Sequence, residues 1–441
     1  MKRVKAQGAL EFLVTYGWAF LVIIAIIAGF AALDPLDTAA VETHCVGQGV
    51  FTCESQALQL TEEGVKLRVA ASLADSVRVE EVAVTAVNDE TTNTKCFVKE
   101  ETVRQGEAFD VVCPGLSLRG TNVELELQYT YRPTRLSAKY QRQTTMRVSG
   151  TPSENGLGVD VTQEVFVGPG TYSWTAPPNV TETRVLVVAG GGGGGGRHGG
   201  GGGAGGVIYV EKYGVQPGNT YTVVVGSGGS GGPGNSGPGE NGEDSRFASL
   251  VATGGGGGGA WNAGKPGRDG GSGGGGAGKR GAGSGVPGQG HGGGAGMSKP
   301  YNHGGGGGAG GPGGCGRNNN GDCGGNGGNA GTVGNGGPGV YVGDRFNDSI
   351  GVDGWIAGGG GGGSHDPEPT RWGSGGIGGG GDGGNASATG AMADLAGEDA
   401  VENTGSGGGA GSRDQANTGS TNGGPGGDGG SGLVVLRYIE D

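Results

Sequence analysis

Aromatic, arginine and histidine side chains interrupt the glycine runs in the second half of this chain. Aromatic rings stack on apolar surfaces and arginine and histidine form hydrogen bonds, so this combination fits sugars or protein surfaces. The alternative is that Trp355 and Trp372 only cap packed glycine segments and exclude water. The side chains that we predict to bind a ligand are those of Trp261, Tyr301, His303, Trp355, Arg371 and Trp372.

Residues that could catalyse a reaction are scattered along the sequence. Each of the five histidines stands among glycines or turns, and adjacency of His365 and Asp366 does not by itself create a catalytic triad. Gly-x-Gly-x-x-Gly recurs without a strand before it and a helix after it, and no Gly-Lys-Ser/Thr follows a glycine run, which argues against phosphate binding. We therefore predict a protein that is not an enzyme and needs no cofactor or metal. A membrane-anchored hydrolase has no residues to support it.

The six cysteines are predicted to form three disulfides, which suits an exported chain. The predicted pairs are Cys45–Cys53, Cys96–Cys113 and Cys315–Cys323. Each pair closes a short loop, although the first four cysteines alone permit three pairings. Zinc is the rival interpretation, but the chain has no Cys-x-x-Cys and His44 stands alone.

Three Asn-x-Ser/Thr tripeptides are candidate N-glycosylation sites in an exported chain. Their acceptor residues are Asn179, Asn347 and Asn385. Such tripeptides also arise by chance, so the sequence leaves open whether any of them carries a glycan.

Composition divides the chain. Of 116 glycines, 12 precede Val165, so residues 165–441 are more than one-third glycine. The formal net charge is −13 and the sequence pI is near 4.9. An acidic chain without a basic stripe is a poor candidate for binding nucleic acid. It suits a hydrated surface protein better.

Apolar and polar residues alternate in the region that contains the first four cysteines, which predicts β-strands there. Val65, Leu67 and Val69 alternate with polar residues, and a second alternating run loses its phase at Glu80–Glu81, which predicts a bulge. Short alternating strands with turns between them predict a β-sandwich over residues 42–150. Residues 151–164 have the composition of a linker.

A basic stretch and a long apolar run begin the chain. The 22 residues from Phe12 to Leu33 carry no charge and would span about 33 Å as a helix, enough to cross a bilayer. We therefore predict a hydrophobic helix over residues 7–41. Basic residues ahead of it would keep the N-terminus inside and export the rest.

The start of this segment resembles the class III signal peptide of archaeal type IV pilin and archaellin precursors. The resemblance rests on Lys5-Ala6-Gln7 and on the glutamate at position 11. It implies that residues 1–6 are removed by a prepilin-type peptidase, between Ala6 and Gln7. It also implies that Glu11 acts in assembly, pairing with the α-amino group of a neighbouring subunit. An uncleaved membrane anchor is the alternative.

Residues 165–441 begin and end in strand-like sequences, with glycine runs between them. We expect the two ends to pair in one sheet, because disordered linkers rarely have such ends. Glycine runs can form extended threefold helices that bond through their backbones. The region resembles a glycine-rich domain of surface and phage proteins, and the polyglycine II adhesin of T-even-type phage tail fibres. A partly disordered glycine brush is the alternative.

These observations predict a hydrophobic N-terminal α-helix, an all-β sandwich and a glycine-rich β-sheet with a polyglycine II bundle. The resemblances imply a pilin-like cell-surface protein, membrane-anchored or part of an extracellular filament, whose glycine-rich domain is adhesive. Its expected partners are the membrane, the prepilin-type peptidase, the pilus assembly machinery, other pilins in a homo- or hetero-oligomer, and cell-surface glycans or proteins. The alternative function is a structural filament subunit or a hydrated coat without a specific receptor.

Overall fold

Two compact units, Met1–Gly158 and Val159–Asp441, make up the chain. The computed structural model describes residues 44–47, 50–62, 64–72, 76–98, 102–116, 118, 122–134, 141–153, 160–235, 237–261, 264–297, 303–316, 334–364, 372–385, 395–413 and 423–440. Within these residues both units are built from β-strands, and the second also contains long glycine segments.

The predicted fold class is wrong in its helical part. The described residues are almost entirely β, and their one complete helix is the four-residue Gly343–Phe346. None of the helices in the described ranges has the length and apolar character needed to cross a membrane. The transmembrane, signal-peptide and pilin assignments that depended on such a helix are therefore not supported. The helix predicted over 7–41 lies outside the described residues.

The first unit contains two antiparallel sheets around a shared apolar core. One sheet has the strand order β1-β10-β9-β4-β5, with β7 also on β4, and the other has the order β2-β3-β8-β6. Residues of both sheets, including Leu67 of β3 and Leu127 of β9, are fully buried in one cluster. The strands are β1 His44–Gly47, β2 Phe51–Thr61, β3 Gly64–Ala71, β4 Val77–Val87, β5 Glu90–Lys95, β6 Phe97–Val98, β7 Thr102–Val103, β8 Ala108–Pro114, β9 Val123–Pro133 and β10 Arg142–Gly150.

Strand β4 has the irregularity expected from its sequence. Its register with β9 shifts between Val79 and Glu81, which confirms the predicted bulge. The bulge restores the inward direction of the apolar side chains, so Val79 and Val82 are both buried although they are three residues apart.

Two predicted disulfides in the first unit are confirmed. Cys45 of β1 is bonded to Cys53 of β2, and Cys96, directly after β5, is bonded to Cys113 of β8. The first bond therefore joins a strand of one sheet to a strand of the other, and the second ties the connection between β5 and β6 to β8. Cys315 is also disulfide-bonded, but its predicted partner Cys323 lies outside the described residues, so that pairing stays a prediction.

The second unit has a central sheet with an apolar layer on each face. The central order is β11-β20-β13-β14, a second sheet has the order β12-β15-β16-β17, and β18 pairs with β19. The elements are β11 Asp160–Val167, β12 Gly170–Thr175, β13 Glu182–Val188, β14 Val207–Gly214, β15 Thr220–Val225, β16 Ser245–Phe247, β17 Leu250–Ala252, β18 Val340–Tyr341, α1 Gly343–Phe346, β19 Trp355–Ile356 and β20 Leu433–Glu440.

The ends of the glycine-rich region pair with each other, as the sequence predicts. Strands β11 and β20 are antiparallel neighbours over their whole length. Alternate residues of β13 point to opposite faces, since Val187 packs with Trp174 and Phe247 whereas Leu186 packs with Phe346. The central sheet is therefore covered on both faces.

Glycine runs leave this sheet as extended, fully buried segments. Every third N–H of Gly190–Arg197 donates to the same neighbour, so the run bonds in rotation to segments 237–243, 424–430 and 200–203. A period of three residues is that of an extended polyproline II-type helix. Residues 183–206 are buried throughout, and backbone bonds of this kind satisfy the amides that burial removes from water.

Candidate ligand-binding surface

Residues 340–356, which we call the excursion, separate two glycine segments and pack on one face of the central sheet. Phe346 of α1 is fully buried there, next to Leu186 and Val435. Burial of one such aromatic side chain contributes about 1.5–3 kcal/mol. Because β18 and β19 also pair with each other, the excursion is held at both ends and at its middle.

The excursion presents two aromatic rings, Tyr341 and Trp355, which we call the ring pair. The two residues are directly opposite in the β18–β19 pairing, and their ring centroids are 5.4 Å apart at an angle of 51°. Tyr341 is 40% exposed and Trp355 is half-buried. Neither ring belongs to the apolar cluster that contains Phe346, and both rings are partly accessible to solvent.

A carboxylate orients the tyrosine of the ring pair. The Tyr341 hydroxyl donates to Oδ1 of Asp348 at 2.5 Å. This hydrogen bond, together with burial and the negative charges of Asp348 and Asp344, raises the pKa of Tyr341 to about 12. A glycine at position 354 makes room for this hydrogen bond, because a Cβ there would lie 2.9 Å from Oδ1 of Asp348.

Arg345, the one basic residue of the excursion, contacts the central sheet rather than the ring pair. Arg345 pairs with Asp344 at 3.1 Å, and its guanidinium lies 4.9 Å from the ring centroid of Tyr209 on β14. Its carbonyl oxygen accepts a hydrogen bond from Arg437. Burial and the charge of Arg184 lower the pKa of Arg437 to about 10. Arg345 thus fastens the excursion to the sheet.

A second aromatic group lies among the glycine segments. The rings of His198 and His303 are stacked with centroids 5.6 Å apart, and Trp261 meets both edge-on at 6.1 and 6.2 Å. His303 is 1% exposed and its Nδ1 accepts the N–H of Gly278. Trp261 is half-buried over Gly278. Burial of both imidazoles indicates a packing role for this group, with only Trp261 partly exposed.

The predicted binding residues do not form one described site. Trp261 and His303 come together, Trp355 belongs to the ring pair, and Trp372 is half-buried after a glycine segment. Tyr301 and Arg371 lie outside the described residues. His198, Tyr341 and Asp348 are not among the residues predicted from the sequence. Strands of two residues have no period, so nothing in the sequence indicated that Tyr341 and Trp355 pair.

The processing and glycosylation residues also differ in what the structure describes. Lys5, Ala6, Gln7 and Glu11 lie outside the described residues, so their roles stay predictions. Among the sequon asparagines, Asn179 and Asn347 are exposed and Asn385 is half-buried. In the excursion, the N–H of Ser349 donates to Oδ1 of Asn347 at 3.0 Å, which forms a local turn.

Comparison with known proteins identifies the second unit. A family described as a glycine-rich domain matches residues 166–439, well over half of the chain. Its bounds begin in β11 and end in β20, so the match comprises the central sheet, the glycine segments and the excursion. No curated protein matches the chain.

Proposed function

This chain belongs to the glycine-rich domain family, and from that premise we propose that it is a cell-surface protein whose second unit attaches to sugars or proteins of another surface. Two disulfides in the first unit support an oxidising, extracellular setting. The ring pair and the half-buried Trp261 are the described positions that we propose make contact.

The observation that carries the proposal is the contrast between the glycine segments and the excursion. The glycine runs 190–196, 254–259 and 358–363 are buried and have no side chains with which to recognise a ligand. Tyr341 and Trp355 instead lie at the surface on a backbone fixed by pairing and by the buried Phe346. Rings held in place before binding lose little conformational freedom when a ligand arrives, which favours affinity.

The test is attachment of the purified full chain to cells and to immobilised glycans or proteins. Trp355→Ala should weaken saturable attachment by more than fivefold, since truncating a central aromatic contact typically costs more than about 1 kcal/mol. Ile377→Ala is the matched control, because Ile377 is an apolar residue that is 52% exposed outside the excursion. Near-ultraviolet circular dichroism checks that both variants keep their fold.

A hydrated coat without a receptor predicts a different result. Attachment would then be weak, would not saturate, and would be equal for the unaltered chain, Trp355→Ala and Ile377→Ala. That outcome would refute the proposed function. Saturable attachment that fails only in the Trp355 variant would refute the coat.

A further inference from the structure

We infer that the ring pair binds cationic side chains, lysine or arginine, on a protein of the opposing surface. The inference rests on the proposed function, since it names the ligand class of the same site. Electron-rich faces of tryptophan and tyrosine attract ammonium and guanidinium groups within about 6 Å of the ring. Tyr341 is 40% exposed and Trp355 is half-buried, so both rings are partly accessible to such a group.

The charges around the ring pair favour a cation. Asp348 touches Tyr341, and Asp353 is an exposed residue two positions before Trp355. Neither carboxylate takes part in an ion pair within the described parts of the chain, whereas Asp344 is paired with Arg345. The hydrogen bond from Tyr341 to a carboxylate also increases the electron density of its ring, which strengthens attraction for a cation.

An inorganic cation fits less well than an organic one. No three His, Cys, Asp or Glu side chains within the described ranges converge closely enough to hold a metal ion. An organic cation needs no such convergence, because rings and separate carboxylates share the attraction. Anionic sugars would be repelled by Asp348 and Asp353.

Charge complementarity favours a protein as the carrier of the cation. The whole chain has a formal net charge of −13, and a field of this sign accelerates encounters with basic protein surfaces. The ring pair would then select among encounters, because a lysine or arginine that reaches it gains contact with both rings.

The test measures binding of labelled hexalysine to the full chain by fluorescence anisotropy. Hexalysine with every side chain acetylated keeps the same backbone and loses the charge, so it should not bind. Trp355→Ala should weaken hexalysine binding about tenfold, and the double variant Asp348→Asn/Asp353→Asn should weaken it by a similar factor. Intrinsic tryptophan fluorescence should change on binding in the unaltered chain and not in Trp355→Ala.

A matched control separates the site from general attraction to an acidic protein. The double variant Asp89→Asn/Glu90→Gln removes two charges at an exposed turn of the first unit. Its affinity for hexalysine should stay within about twofold of the original, since exposed charges other than Asp348 and Asp353 are screened by salt and do not contribute to the proposed site. Equal losses in the two double variants, or full affinity in Trp355→Ala, would overturn the inference.

A third arm distinguishes an amino sugar from a peptide. A glucosamine oligomer that binds through Trp355 while hexalysine does not would overturn the inference in favour of a sugar. The proposed function would survive that result, because cell attachment would still depend on Trp355. It would fail only if attachment itself were absent or independent of the ring pair.

Discussion

Replacing Gly360 by alanine tests whether close backbone packing holds the second unit together. Gly360 is buried, and a Cβ there would lie 2.6 Å from the carbonyl carbon of Gly408 and 3.0 Å from the carbonyl oxygen of Gly407. The first distance is 0.8 Å inside the 3.4 Å at which ordinary contact begins. Both atoms belong to the backbone of a neighbouring segment, so no flexible side chain can move aside.

The cost follows from the hydrogen bonds that would stretch. Gly408 accepts from the N–H of Gly202 at 2.9 Å and donates to Gly192 at 3.0 Å. A displacement of 0.8 Å along either bond takes it beyond the range of a hydrogen bond. Each buried group left without a partner costs about 1–3 kcal/mol, so Gly360→Ala should reduce the free energy of unfolding by about 3 kcal/mol. The melting temperature should fall by roughly 6–12 °C.

The assay is thermal unfolding of the full chain followed by tryptophan fluorescence, since four of the five tryptophans lie in the second unit. Gly281→Ala is the control: Gly281 is exposed, and a Cβ there would meet nothing within 4 Å. This variant should be neutral or stabilised by about 0.4–1 kcal/mol through a less flexible unfolded chain. Equal melting temperatures for the two variants would refute the role of close packing.

Three further predictions address other parts of the molecule. Cys96→Ala with Cys113→Ala should lower the free energy of unfolding by about 3 kcal/mol, measured with urea, and an unchanged midpoint would contradict a stabilising bond. Asp348→Asn should shift the pKa of Tyr341 from about 12 towards 10, as measured by phenolate absorbance with Tyr341→Phe as the control. Because the pKa of Tyr341 is higher in the folded state, this tyrosine stabilises the fold fully below pH 10 and loses that contribution as the pH rises through 12. Ser406→Ala should cost about 2 kcal/mol in thermal unfolding, since its buried hydroxyl bonds two glycine segments, and retention of the original melting temperature would contradict this.

Much of the β-structure could be predicted because its side chains carry the signal. Alternation around Leu67 indicated a strand with one buried face, and the broken phase at Glu80–Glu81 indicated the bulge. The ends of the glycine-rich region are apolar and β-branched, which predicted that β11 and β20 pair. The first two inferences used the two-residue period of a strand, and the third used the apolar, β-branched composition of a buried strand.

The excursion could not be predicted in the same way. Its helix is a single turn, its two strands have two residues each, and Phe346 is buried only because the central sheet lies beneath it. Elements this short have no measurable period, so their positions depend on tertiary contacts. The two histidines that contact Trp261 could not be predicted either, because His198 and His303 are 105 residues apart in sequence and come together only through tertiary contacts.

Neighbouring glycine segments present the hardest case, because glycine has no side chain that could choose one neighbour over another. Serines supply part of that choice. Ser406 accepts the N–H of Gly358 and donates to the carbonyl of Gly378, and Ser412 makes the equivalent bonds to Ser364 and Gly384. The two serines are six residues apart, as are their partners, which is two turns of a threefold helix. Both hydroxyls therefore specify the same alignment of three segments. A one-residue slip would leave both buried hydroxyls and their backbone partners unsatisfied, so sparse serines fix a register that the glycines alone would leave degenerate.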